Sequence, residues 1–364
     1  MAGGARPEDG TALGETAVPV FLGSFDGAVT GVPAVADHAE FTALVGDARA
    51  ASLFGRAVRG WFTAGGGRCR LVDVTGRTPV RVLAEVAEHP DVTLLLAPAL
   101  WEEGAESAGV WARALAEHAA AHGAMAVLHA DREHSPEEAA AAWRAWGLPA
   151  GTRSHVALYH PWLRVPEDAD AAGPAGRELV VPPSPAAAGS WARVDRERGV
   201  WHGPLLVPIA GVLGPEYEVT DGQQRDHTPV NFVRTVVGSS VMAAGARTLA
   251  PELDEDWRYI AVRRLVDSLS REIALTVRAV AVAVGPDTPA GRREVRLSIE
   301  SCLRSLWERG ALRGETETEA YRVEFGTDAA DRPVARTWIA PIAPRDFLVV
   351  EHSLEPASDP APRA

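Results

Sequence analysis

The sequence contains no lysine: all 36 of its Lys and Arg positions are arginine. That absence excludes a P-loop lysine, a Schiff-base lysine and a lysine general base. Cysteine is nearly missing too. Cys69 and Cys302 stand alone, far apart and in apolar surroundings, too few for a disulfide framework or a thiolate zinc site, and both read as core residues. No apolar run is long enough to cross a bilayer, and Met1 to Glu15 lacks the basic-then-apolar pattern of a secretory leader, so the chain is expected to be cytoplasmic on synthesis. Basic charge is short as well: 49 acidic residues leave a net charge of -13, which argues against nucleic acid or an anionic membrane as the main partner. There is no His-Glu-x-x-His, no Cys-x-x-Cys and no Asp-x-Asp-x-Asp-Gly loop, so neither metal nor cofactor is expected.

What is present suits a folded chain of more than one domain: 364 residues, 46% hydrophobic and 23% charged. The best-written stretch begins at Asp256. Trp257, Ile260, Ala261, Leu265, Leu269, Ile273, Val277, Val280 and Val284 recur at three- and four-residue spacing and predict one long amphipathic helix. Asp254, Glu255 and Asp256 sit where carboxylates favour a helix start, and Gly285-Pro286 stops it. Thr288-Pro289 opens a second helix that Gly310 closes. The period then drops to two. Tyr321 to Phe325, Val334 to Ile339 and Asp346 to Glu351 read as strands of a small sheet.

The first two-thirds has a different rhythm. Ala17 to Gly23, Arg68 to Val74, Val92 to Ala97, Ala124 to Ala130 and His155 to Tyr159 are short apolar runs without alternation. Helical stretches lie between them at Leu53 to Phe62, Val80 to Ala87, Ala105 to Ala121 and Pro136 to Trp146. Unalternating strands interleaved with helices predict a largely parallel sheet covered on both faces. Arg164 to Leu179 is rich in Asp, Ala, Gly and Pro and reads as an exposed loop.

Four pieces in order carry a resemblance: Trp257-Arg-Tyr-Ile-Ala-Val-Arg-Arg-Leu265, Trp307-Glu-Arg-Gly-Ala-Leu-Arg-Gly314, Tyr321-Arg-Val-Glu-Phe325 and Ile339-Ala-Pro-Ile-Ala-Pro-Arg-Asp-Phe-Leu348. Together they resemble the C-terminal domain of tail sheath proteins, which form the contractile sheath of phage tails and of extracellular contractile injection systems. Upstream, the stretch from Val181-Pro-Pro-Ser through Arg193-Val-Asp195 and Gly199-Val-Trp201 to Pro204 is similar to the family almost residue for residue. Asn231 to Val237 and Gly245 to Leu249 resemble the family's pair of strands that lead into the C-terminal domain. Two departures stand out. Met1 to Thr16 has no Pro-Gly-Val-Tyr-like strand of the kind sheath proteins donate to a neighbour, and Ala244 stands where the family has tryptophan.

The resemblance implies an α/β fold with a subtilisin-like, inactive central domain and mostly parallel sheet, followed by an α+β C-terminal sheath domain of two helices and a small sheet. The expected boundaries are 1–17 for a flexible arm, 18–245 for the α/β domain, 246–355 for the assembly domain and 356–364 for a polar tail. It also implies a structural function. Stacked hexameric rings would surround an inner tube between baseplate and cap proteins, without nucleic acid and without a membrane in the resting state, and contraction would drive the tube through a target envelope. The departures at the N-terminus keep a cap or baseplate-proximal adaptor as an alternative.

A second alternative is a cytoplasmic hydrolase of subtilisin-like ancestry. It would need a serine, a base and an orienting carboxylate. Ser184, Ser190, Ser239 and Ser240 are the candidate serines and His155, His160, His202 and His227 the candidate bases, yet no serine lies in a Gly-x-Ser-x-Gly elbow. Ser184 and Ser190 read instead as helix-start residues and Gly238 to Ser240 as a turn. His129, Asp131 and His134 follow a strand but read as a solvated loop, and Gly65 to Gly67 as a turn and not a phosphate cradle. The residues assigned to assembly are Arg263 or Arg264, as an ion pair to a neighbouring protomer, and the strand Asp346, Phe347, Leu348, Val349 and Val350, as a donated edge.

Overall fold

The computed structural model describes residues 13–25, 27–167, 177–236, 240–251, 253–283, 285, 288–342 and 348–353, with 348–351 described by their backbone alone. The chain divides into two compact units, one over 15–264 and one over 265–364 with 1–14.

In the first unit the strands are β1 (Pro19–Gly23), β2 (Ala34–Val35), β3 (Cys69–Asp73), β4 (Leu94–Leu96), β5 (Met125–His129) and β6 (Val156–His160). They are followed by β7 (Leu163–Pro166), β8 (Glu178–Val181), β9 (Gly214–Pro215), β10 (Asn231–Val236) and β11 (Ser240–Ala243). Its helices are α1 (His38–Val45), α2 (Asp47–Ala50), α3 (Leu53–Thr63), α4 (Pro79–Val86), α5 (Gly104–His122), α6 (Pro136–Ala145), α7 (Pro183–Arg198) and α8 (Asp221–Asp226).

Eight strands form the main sheet in the order β11-β10-β6-β5-β4-β1-β3-β2. The six central ones are parallel, and the edge strands β2 and β11 run antiparallel. Alternate residues of each strand enter different cores. Val20, Val72, Leu95, Leu128 and Leu158 pack with Val82, Leu115 and Trp143 of α4, α5 and α6. Phe21, Leu71, Leu94, Val127 and Tyr159 pack with Phe41, Val58, Trp61 and Trp191 of α1, α3 and α7. Because both faces are buried, every strand position can be apolar, which is why these runs show no period of two.

Local signals set the helix ends. Asp37 and Ser52 accept the backbone N–H of Glu40 and Gly55, and Ser135 with Glu138 forms a reciprocal capping box at α6. Close packing of α3 on α7 depends on Gly189, where an added Cβ would stand 2.4 Å from the Trp61 carbonyl oxygen. The Gly65 to Gly67 turn has a similar cause. A Cβ on Gly66 would strike the Trp61 ring at 2.1 Å, and the indole N–H donates to the Gly67 carbonyl at 2.8 Å.

Several expectations are corrected in this unit. Of the turn expected at Gly238 to Ser240, Ser240 begins β11, and Gly238 and Ser239 lie outside the described residues; the strand beside β10 is Ser240–Ala243, and Gly245 to Leu249 is no strand. The Asn231 side chain bridges that segment instead, accepting from Arg247 N at 2.7 Å and donating to Arg247 O at 2.8 Å. Of the stretch expected as an exposed loop, the two ends belong to β7 and β8, which with β9 form a second, antiparallel three-stranded sheet, and 168–176 lie outside the described residues. Ser190 lies inside α7, not at its start, with its hydroxyl donating back to Ala187 O at 2.7 Å.

The chain passes into the second unit within α9 (Ile260–Ala283), which is followed by α10 (Pro289–Glu308) and α11 (Glu317–Ala320). α9 starts later than its stripe suggested. Tyr259 bridges to Arg247 as extended chain, so Asp254 to Asp256 precede the helix and its first turn carries no acid. Thr288 caps α10 by accepting from Gly291 N. Strands β12 (Tyr321–Thr327), β13 (Pro333–Ile339) and β14 (Leu348–Ser353) then form an antiparallel meander with β13 in the middle. Tyr321 and Val323 are buried while Arg322 and Glu324 are exposed, the pattern of a sheet with one wet face.

Candidate functional site

The most completely satisfied polar centre lies inside the first unit, where the last turn of α7 meets the first turns of α9. Arg264 donates to both oxygens of Asp195, at 2.9 and 2.5 Å, and the two side chains are only 3% and 5% exposed. Thr16 adds a bond to each partner: its hydroxyl donates to Asp195 at 2.5 Å and its carbonyl accepts from Arg264 at 3.1 Å. The guanidinium carbon lies 5.0 Å from the centre of the Trp191 ring, and the Trp191 N–H donates to the Tyr159 hydroxyl at 2.9 Å. Burial raises the Tyr159 phenol above its ordinary value, so it remains neutral. A bidentate pair with further hydrogen bonds to its remaining polar atoms is the form in which buried charge is tolerated.

Arg264 was one of two arginines assigned to a contact with another protomer. The structure places its charge on Asp195 of the same chain. Arg263 points elsewhere, half-buried and stacked 3.9 Å over the Trp257 ring, as adjacent helical positions must diverge. Asp346 and Phe347 lie outside the described residues. Leu348, Val349 and Val350 belong to β14, whose backbone pairs with Ile339, Trp338 and Thr337 of β13. Among the described residues β14 has a strand neighbour on one side only. At the other edge β12 carries Arg322 and Glu324, an ion pair at 3.2 Å with the guanidinium over Trp338 at 4.3 Å; such charges discourage casual pairing at an edge.

One serine and one histidine do come together, in a pairing the sequence did not reveal. Ser184, in the first turn of α7, lies 2.9 Å from His129 Nδ1 at the end of β5. Both are 0% exposed. Burial, with nearby His160, pushes the His129 imidazole down to about 3, and its Nε2 has no hydrogen-bond partner, so no carboxylate orients the ring. The contact therefore lacks two requirements of an acyl-transfer site: an orienting acid and a path for substrate. His160 pairs with the Tyr217 hydroxyl, and burial pushes it down to about 4. His155 lies beside Ser154, His202 is half-buried and His227 ends α8. Ser239 lies outside the described residues, and Ser240 begins β11.

The expected solvated loop at His129, Asp131 and His134 is corrected as well, because His129 is interior and faces Ser184. Asp131 instead accepts from Glu133 N at 2.9 Å. Among the described residues no group of three or more metal-ligating side chains converges. Cys69 is buried and Cys302 partly buried; neither is in a disulfide, and burial pushes both thiols up to about 12. A cleft of about 600 Å³ lies between α5 and α6 and is lined by Trp101, Val110, Arg113, His134 and Trp146. Ser184 and His129 do not line it.

No family model matches the sequence, and no curated protein does. Solved structures do match. The sheath complex of an extracellular contractile injection system, PVC, in its contracted state is 27% identical with a TM-score of 0.73, over 94% of this chain and 93% of that one. The chain belongs to the tail sheath family. A chain of the anti-feeding prophage baseplate in its contracted state is 25% identical to this sheath protein, with a TM-score of 0.70 and 97% of each chain covered. The sheath tail protein of Listeria innocua, only 9% identical, shares the fold over 95% of this chain at a TM-score of 0.67.

Proposed function

We propose that this chain is the repeating structural subunit of a contractile sheath, stacked in hexameric rings around an inner tube and linked at its ends to baseplate and cap. The observation that carries the reading is the near end-to-end likeness to the PVC sheath complex. In this reading the α/β domain over 18–245 is a subtilisin-like body that does no catalysis, and 246–355 form an assembly domain. Contraction then needs no pocket. Each subunit exchanges one set of contacts for a better one, and a small gain in burial, at about 25 cal/mol per Å², is multiplied over the whole tube.

Physical features of the second unit support the role given to it. Leu275 and Val282 on α9 and Leu297 on α10 are large apolar side chains left exposed, and β14 ends the small sheet among the described residues. A strand at such an edge can hydrogen-bond to another chain, which holds two bodies together while they rotate. Arg263 is the arginine of the pair retained for an interface.

Removing residues 344–364 tests this directly. The truncated chain should keep the circular dichroism and unfolding transition of the first unit yet yield no polymer by negative-stain electron microscopy. Ordinary tubes from the truncated chain would refute the role of this edge. A second reading, a terminal layer next to the baseplate, is favoured by the likeness to the anti-feeding prophage baseplate chain. Gold labelling of this chain in native particles separates the two, since label along the whole tube supports the first and label at one end the second.

A further inference from the structure

The last turns of α5 carry His118-Ala-Ala-Ala-His122, two imidazoles four residues apart on one side of the helix. Their ring centres are 4.3 Å apart, with planes tilted by 31°. We propose that His118 and His122 form a two-imidazole site for one divalent transition cation of the Cu²⁺, Ni²⁺ or Zn²⁺ type.

Three features of the chain favour this. Residues at i and i+4 have Cβ atoms about 5–6 Å apart, so one nitrogen of each ring can reach a metal at a bond length of about 2.0–2.1 Å. The intervening Ala119, Ala120 and Ala121 are the best helix formers, Ala119 is fully buried, and Gly123 closes the helix in the left-handed conformation, so the spacing is fixed before a metal arrives. The pair also sits at the carboxyl end of a 19-residue helix, where the macrodipole favours positive charge. Burial, with His122 beside it, holds the His118 imidazole down at about 4 and keeps it in the neutral, metal-binding form at neutral pH. His122 is exposed and His118 half-buried, so the site opens to solvent and water completes the coordination. Borderline metals prefer imidazole, whereas Mg²⁺ and Ca²⁺ prefer oxygen, and affinity should fall in the order Cu²⁺, Ni²⁺, Zn²⁺ except where Zn²⁺ gains from tetrahedral geometry.

The test is titration of the full-length protein with CuCl2 in a non-chelating buffer, read by calorimetry and by the nitrogen couplings in the Cu²⁺ electron paramagnetic resonance spectrum. Wild type should bind with two coordinated nitrogens. His122→Ala, an exposed change that leaves the core untouched, should lose one nitrogen coupling and weaken binding by at least about tenfold, since even the outer partners of a metal ligand are worth that much. His118→Ala should do the same, with circular dichroism confirming the fold. Mg²⁺ should give no heat. An isotherm and spectrum identical in wild type and His122→Ala would overturn the proposal, as would no Cu²⁺ binding by wild type.

Discussion

The two units of this chain solve the same problem, burying a sheet, in opposite ways. In the unit over 15–264 the six parallel strands are covered on both faces and flanked by antiparallel strands, so each parallel strand has a neighbour on both sides. In the unit over 265–364 a three-stranded meander keeps a wet face, and among the described residues β12 and β14 each have one strand neighbour. On the proposed reading, stability resides in the first unit and association in the second. The first unit holds a charge pair inward, on Asp195 and Arg264; the second offers the edges of a small sheet.

The largest expected break in that contrast is Asp195→Ala. It strands the Arg264 guanidinium in the interior, and the first unit should lose about 3–5 kcal/mol, read as a lower urea midpoint. A change under about 1 kcal/mol would mean that water reaches the pair and that the first unit is not closed. Removing both partners with apolar residues of similar volume should cost much less than either single change, because no buried charge is then left unpaired.

Acid provides the next test. His129 and His160 are held neutral, at about 3 and about 4, while an unfolded chain protonates near the ordinary 6.5. Between those values the unfolded state binds more protons, so the stabilisation is complete above about pH 6.5 and is lost as pH falls through about 4. Each histidine contributes a slope of up to about 1.4 kcal/mol per pH unit in that window. His129→Asn should flatten the slope by roughly one histidine's share in urea titrations at pH 6.5, 5.5 and 4.5. An unchanged slope would show that the imidazole is not sealed.

The smallest effect belongs to the second unit. Thr288→Ala removes the cap that accepts from Gly291 N at 3.0 Å, and should cost about 1 kcal/mol of hairpin stability without touching the first unit's transition. A single transition shifting as a whole would blur the comparison between the units.

The legible parts of the fold were those in which one local rule governs. Unalternating apolar runs predicted β1, β3, β4, β5 and β6 because strands buried on both faces need no polar position. Thr288-Pro289 marked the start of α10 through capping geometry. The missed features depend on partners distant in sequence. β7, β8 and β9 make a sheet only because Leu163 meets both Val181 and Pro215. Arg264 could not be told from Arg263 until Asp195, 69 residues upstream, was placed against it. The Ser184 and His129 contact likewise spans 55 residues, and its one signal was a serine opening a helix opposite a strand that ends in histidine.

The central claim is that this chain works through contacts between copies of itself. Sedimentation velocity of the purified full-length protein over a wide concentration range, with electron microscopy of the fastest fraction, tests it most directly. The account predicts a polymerising system whose large species are tubes or stacked rings. A single species of one 38.6 kDa chain at every concentration, and no tubular particle, would contradict it.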